Sequence, residues 1–186
     1  MPRVVLVVGP CGAGKSSALQ RMRAVLGERV GEVAVLETDT IYTMIDPTWA
    51  AYSATYDTIA KRVAARTAAQ FVREGFDWIA VGSNGLQDHR QVDEFLTQLP
   101  RGVEVFHLFL DPSTSSVQAR IASRAHALDA HKTPEWLAEN VAWMRSFHRP
   151  ESALVDNSDL DVDQTVEAIY AAVASGRGLI RPADKP

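Results

Sequence analysis

The sequence predicts an α/β fold with a mainly parallel sheet. Three observations carry that expectation. Five short segments, 4–8, 33–37, 78–81, 103–110 and 153–155, are rich in Val, Leu, Ile and Phe. Most are apolar at consecutive positions, which suits strands covered on both faces. Segments with helical periodicity separate them, and strands alternating with helices read as a parallel sheet wrapped by helices.

The elements follow in order. After the first strand, Leu19, Met22 and Leu26 share one helical face. Between the second and third strands, Ile59, Val63 and Phe71 mark a face in a helix over 56–74. Val92, Phe95, Leu96 and Leu99 form a stripe after the third strand. Val117, Ile121, Ala125 and Leu128 form another after the fourth, with Asp111-Pro112 as cap and first-turn proline. Thr133-Pro134 repeats that start signal before Leu137, Val141 and Met144. Val162, Val166, Ile169 and Val173 define the last helix. The expected organisation is one domain over 1–175 and a tail over 176–186, with an insertion at 39–75 and a short polar segment at 126–133.

The composition is globular, with 46% hydrophobic and 23% charged residues. The net charge of −4 argues against a nucleic-acid or membrane-surface role, which usually shows a basic patch. No apolar run approaches membrane-spanning length. The single cysteine, Cys11, excludes an intrachain disulfide and fits a reducing compartment, so a cytoplasmic protein is expected.

The most informative stretch is GPCGAGKS, between the first strand and the first helix. It fits G-x-x-x-x-G-K-[ST] at Gly9, Gly14, Lys15 and Ser16. Glycines there let successive amides turn inward as a nest for phosphate oxygens, and the helix N-terminus adds partial positive charge. The Lys15 ammonium reaches the terminal phosphates and the Ser16 hydroxyl can ligate Mg²⁺. Gly9, Cys11, Gly12, Ala13, Gly14, Lys15, Ser16 and Ser17 are therefore the candidate nucleotide contacts.

The second strand ends in ETD. Glu37 and Asp39 are two apart, so in an extended chain their side chains leave on the same face, at the carboxyl end of a strand, where open α/β sheets bind ligands. One carboxylate would hold a metal-bound water, and the other would accept a proton from an attacking hydroxyl. Ser16, Glu37 and Asp39 are the candidate metal ligands. The third strand ends in Gly82, Ser83 and Asn84. Hydrolysing NTPases carry an Asp there, so metal work shifts to Ser16 and the Glu37/Asp39 pair. Arg120 and Arg124 lie four apart, off the Val117/Ile121 stripe, and could neutralise a transferring phosphate or stack on a base.

These residues resemble the small-molecule kinases of the P-loop superfamily, such as chloramphenicol phosphotransferase, shikimate kinase, gluconate kinase and the adenylate-kinase-like enzymes. The likeness rests on GPCGAGKS, ETD, R-I-A-S-R after the fourth strand and VDNSD after the fifth. The resemblance implies a three-layer fold, with helices on both faces of a five-stranded parallel sheet in order 2-3-1-4-5. It implies ATP and Mg²⁺ as cofactors and a small-molecule hydroxyl as phosphoryl acceptor. Lys15, Asp39, Arg120 and Arg124 would be catalytic, Asp39 as the acid that takes the acceptor's proton. Arg120 and Arg124 would also be lid arginines at adenine and phosphates. Asn157 and Ser158 would lie beside the adenine, and 126–133 would be a short lid. A monomer or homodimer is expected.

Trp49, Tyr52 and Tyr56 in the insertion fall at i, i+3, i+7 and could line a wall for a partly apolar, hydroxylated acceptor. Arg62 and Arg66 could instead grip an anionic one, which keeps a nucleoside or nucleotide kinase open. A non-catalytic ATP-binding regulatory module is the reading outside catalysis. The five histidines show no metal-ligand spacing, and His107 reads as a satisfied core residue.

Overall fold

The computed structural model describes residues 1–48, 52–86, 88–124, 131–147 and 149–181. Strands and helices alternate along the chain: β1 (Arg3–Val8), α1 (Lys15–Val30), β2 (Val33–Glu37), α2 (Thr38–Ile45), α3 (Ala54–Arg73), β3 (Trp78–Ser83) and α4 (His89–Gln98). They continue as β4 (Glu104–Leu110), α5 (Thr114–Ala122), α6 (Pro134–Ser146), β5 (Ala153–Val155), α7 (Val162–Ala174) and β6 (Leu179–Arg181). The first five strands form a parallel sheet in the order β2-β3-β1-β4-β5, as expected.

The two faces of β1 bury different layers, because successive side chains leave a strand on opposite sides. Val5 and Val7 pack with Leu19, Met22 and Leu26 of α1 and Val166 and Ile169 of α7. Val4, Leu6 and Val8 pack with alanines of α3 and with Val92 and Phe95 of α4. Val117 and Ile121 of α5 meet Leu137 and Val141 of α6 in a smaller cluster that also touches Cys11.

Four features depart from the sequence reading. The face of α3 that meets the sheet is Ala64, Ala65, Ala68 and Ala69, while Ile59 and Val63 are 39% and 41% exposed. Small side chains let this helix lie close to the sheet, so Ile59 and Val63 are left outside, whereas Phe71 of the expected face packs against the core. Helix α5 is capped by Ser113, whose side chain accepts from the Ser116 amide, rather than by Asp111. The side chain of Asp111 pairs with Arg145 instead. A short helix, α2, begins directly after β2, where the sequence offered no clear periodicity. The segment read as tail adds β6, antiparallel to β4 at Val105 and Phe106. Strand β5 pairs with β4 only over Leu108–Leu110, so the amino-terminal half of that edge is open to β6. The carbonyl of Gly178 accepts from the His107 amide at 2.7 Å.

Candidate active site

The carboxyl ends of β1, β2 and β3 converge on the GPCGAGKS loop. Gly9 has φ +149, and a Cβ there would come within 2.6 Å of the Leu110 carbonyl oxygen, so no larger residue fits. Gly14, at φ +91, is the N-cap of α1, and Lys15 is its first residue. The Lys15 ammonium folds back across the loop and donates to the carbonyls of Gly9 (2.8 Å) and Pro10 (2.9 Å). Ser16 Oγ donates to Glu37 Oε2 at 2.8 Å.

Asp39 does not continue the strand. It lies in the first turn of α2, where a carboxylate is favoured by the helix dipole. The expectation that Glu37 and Asp39 share a face as an extended pair is therefore corrected. The turn of the helix, rather than strand alternation, carries Asp39 to the loop. Asn84 Nδ2 donates to Asp39 Oδ2 at 3.1 Å. Thr38 Oγ1 donates to Ser83 Oγ at 3.0 Å and ties the start of α2 to the end of β3. Burial raises the Asp39 carboxyl above its ordinary range, and Lys15 is the largest charge opposing that rise. Burial lowers the Lys15 ammonium, and Asp39 is the largest charge opposing that fall. Each group is thus the principal counter-charge of the other.

Behind the loop, side chains grip its backbone. Asn157 is buried and its Nδ2 donates to the Ala13 carbonyl at 2.9 Å. Arg120 Nη1 donates to the same carbonyl at 3.4 Å, while Nη2 donates to the carbonyls of Asn157 and Ser158. Ser158 Oγ accepts from the Ser113 amide at 2.8 Å. The observed contacts of Arg120, Asn157 and Ser158 join the phosphate-loop segment to the turn after β5. Arg124 is exposed just past α5, and its charge is felt at Lys15. Gly12 and Ala13 are buried, Gly12 against Val117 and Ile121 of α5, while Gly14 and Ser17 are partly covered. The Cys11 amide is turned away from the nest and donates to Asn140 Oδ1 of α6 at 2.9 Å.

Arg62 and Arg66 lie toward α4, bonded to Glu94 and Gln98. Tyr52 precedes α3 and is not on a helix with Tyr56. Both are exposed, at 68% and 39%, so neither is core. Trp49, His126 and most of the expected lid lie outside the described residues. His131 packs edge-on against Trp136 with ring centroids 5.5 Å apart. His107 is fully buried between the Leu86 carbonyl (Nε2, 2.6 Å) and Ser152 Oγ (Nδ1, 2.7 Å), as a core histidine should be.

Sequence reasoning missed Asn84, Asn140 and the buried Lys61–Asp57 pair. Asn84 is marked by its place at the end of the third strand but reads there only as lacking charge, and no local signal marks Asn140. The i, i+4 spacing of Asp57 and Lys61 is legible, but it ordinarily describes an exposed helix pair.

The donor set suits a hard cation. A hydroxyl and carboxylates are oxygen ligands, and Ser16 already touches Glu37. Among the described residues no cluster of three or more His, Cys, Asp or Glu side chains is placed to hold a metal ion.

A family described as AAA domain matches residues 4–150. Among curated protein sequences there is no match. Solved structures match over nearly the whole chain. A gluconokinase from Sinorhizobium meliloti is similar with TM-score 0.65 at 17% identity, covering 95% of this chain and 94% of that one. The Deinococcus radiodurans tunicamycin resistance protein gives 0.64 at 19%, covering 98% and 100%. Shikimate kinase from Acinetobacter baumannii, in complex with shikimate, gives 0.61 at 14%, covering 95% of both. With the family match spanning most of the chain and the sheet order shared with these structures, the chain belongs to the AAA domain family and has the fold of the P-loop small-molecule kinase group.

Proposed function

We propose that the protein is a Mg²⁺-dependent kinase that transfers the γ-phosphate of ATP to a hydroxyl of a small molecule. The observation that carries this reading is the pairing of a nest lysine, Lys15, with a half-buried carboxylate, Asp39, at one mouth of the sheet, each the principal counter-charge of the other. A nest with an ammonium binds phosphate; a raised carboxyl beside it takes a proton.

The amides of Gly12 and Gly14 bind phosphate oxygens in this reading, while the Ala13 amide closes the loop by donating to the Pro10 carbonyl at 3.1 Å, and Lys15 exchanges the carbonyls of Gly9 and Pro10 for terminal phosphate oxygens. Ser16 would hold Mg²⁺ directly, with Glu37 and Asp39 at its water ligands; the ion supplies neutralisation of phosphate charge. Asp39 aligns the acceptor hydroxyl and takes its proton as the new P–O bond forms and the bond to the β-phosphate oxygen breaks. Asn84 orients Asp39 by the hydrogen bond to Oδ2. Arg124 is an exposed counter-charge near the nest, and Arg120, with Asn157 and Ser158, holds the loop in shape beside the base. The lone cysteine supports a reducing, cytoplasmic setting.

Two variants test this. Lys15→Ala abolishes ADP formation. Asp39→Asn lowers kcat by about 10²–10⁴-fold, the usual contribution of a positioned general base, with ATP affinity largely kept. Wild-type kcat in Asp39→Asn, measured with an accepted substrate, removes Asp39 from the mechanism.

A further inference from the structure

Next to Asp39 lies a polar cluster that the transfer step does not use. Lys61 is only 6% exposed although it sits on a surface helix. Its ammonium donates to Asp57 Oδ2 and, at 3.1 Å, to Gln91 Oε1. The Tyr52 hydroxyl donates to the same Asp57 oxygen at 3.1 Å. Among the described residues nothing donates to the other oxygen, Oδ1. The cluster is pressed against Gly85: a Cβ there would fall 2.0 Å from Lys61 Nζ and 3.6 Å from Asp57 Oδ2. Gly85 follows Asn84, the hydrogen-bond partner of Asp39, so the cluster reaches the proposed base through the Asn84-Gly85 turn. The charges of Asp57 and Lys61 both act on Asp39.

We infer that Asp57, held rigid by Lys61 and Tyr52, is an acceptor-binding residue, and that the acceptor is an uncharged, polyhydroxylated molecule with an apolar part. This rests on the kinase reading above. Asp57 Oδ1 accepts a hydrogen bond from a second hydroxyl of the acceptor while Asp39 engages the first. The exposed rings of Tyr52 and Tyr56 cover the apolar part. The charge balance favours a neutral molecule. Lys61 is neutralised by Asp57, Lys15 by Asp39, and Arg62 and Arg66 are turned to α4. Lys132, just before α6, also acts on Asp39, and its charge is the route by which an anionic acceptor would prove the inference wrong.

The experiment measures ADP release by the full chain with Mg-ATP and two acceptor sets. One holds phenyl glucoside and uridine; the other holds gluconate, shikimate and glucose 6-phosphate. The expected result is turnover with the neutral set, by at least about tenfold in kcat/KM over the anions. In that case Asp57→Asn and Tyr52→Phe raise KM for the neutral acceptor by about tenfold, the scale of one lost hydrogen bond, with KM for ATP unchanged. Tyr52 is exposed enough that its variant keeps the fold. Preference for an anionic acceptor overturns the inference and leaves the kinase reading standing. So does an unchanged acceptor KM in both variants. No ADP from either set, in a chain that binds Mg-ATP, overturns the kinase reading and this subsite with it.

Discussion

Acid should weaken this fold through one residue, His107. Its imidazole is fully buried in the middle of β4, between the Leu86 carbonyl and the Ser152 hydroxyl. A carbonyl can only accept, so Nε2 carries the proton and Nδ1 accepts from Ser152. Burial, with the Arg149 charge as a further cause, pushes the group from 6.5 down to about 4. The unfolded chain therefore binds a proton at higher pH than the folded one. Stability contributed by the neutral ring is complete above about pH 6.5 and is lost as pH falls toward 4. The full displacement corresponds to about 3 kcal/mol, of which about 2 kcal/mol is lost between roughly pH 7 and pH 5. Set against a typical stability of about 5–15 kcal/mol, that is a large share. Urea denaturation at several pH values measures it, and the midpoint should fall by on the order of 1 M over that range. Asp39 acts in the opposite sense, because its raised carboxyl gains relief as pH falls. The lowered carboxyls of Asp156 and Asp163 lose their contribution only further into acid, so the windows separate. A His107→Gln variant should show a shallower pH dependence. An NMR titration of the His107 ring needs no variant and should show a neutral ring at pH 5. A ring that titrates near 6.5, or a midpoint that stays flat from pH 7 to 5, refutes the argument.

Three further outcomes follow from the site and from the sheet edge. The acid limb of kcat/KM should lie above the ordinary carboxylate range, since Asp39 must be ionised to take a proton. Asn84→Ala removes the donor that favours the ionised form, so that limb should move to still higher pH, with activity lost more at pH 6 than at pH 8. Deleting residues 179–186 should lower Tm without altering the nest, because β6 covers the edge of β4 and the Arg181 guanidinium donates to the carbonyls of Leu96 (3.0 Å) and Pro100 (2.9 Å). The cost should be about 2 kcal/mol, or roughly 4–8 °C for a chain of this size.

Local patterns were enough for the nest. Gly9, Gly14, Lys15 and Ser16 are contiguous, and an apolar strand before them and an amphipathic helix after them make the motif specific. Sheet residues were legible because buried parallel strands advertise themselves as unbroken apolar runs. Helix α3 was legible as a helix but not in its facing, since hydrophobicity ranks Ile59 and Val63 above the alanines that meet the sheet. Asp57 and Lys61 carry an exposed-pair spacing, and nothing local shows that Gly85 leaves room for the ammonium to lie buried beside it.

From the chain alone came the α/β class, the phosphate-binding turn and an acidic strand end, because each depends on residues within a few positions of one another. Tertiary packing alone decided that α2 turns Asp39 toward Lys15, that Asn84 and Asn140 reach the site from β3 and α6, and that Arg62 and Arg66 look away from it. Those outcomes depend on how far the elements stand apart and on which way they are rotated. Such distances are set by the volumes of side chains remote in sequence, and no short stretch of sequence encodes them.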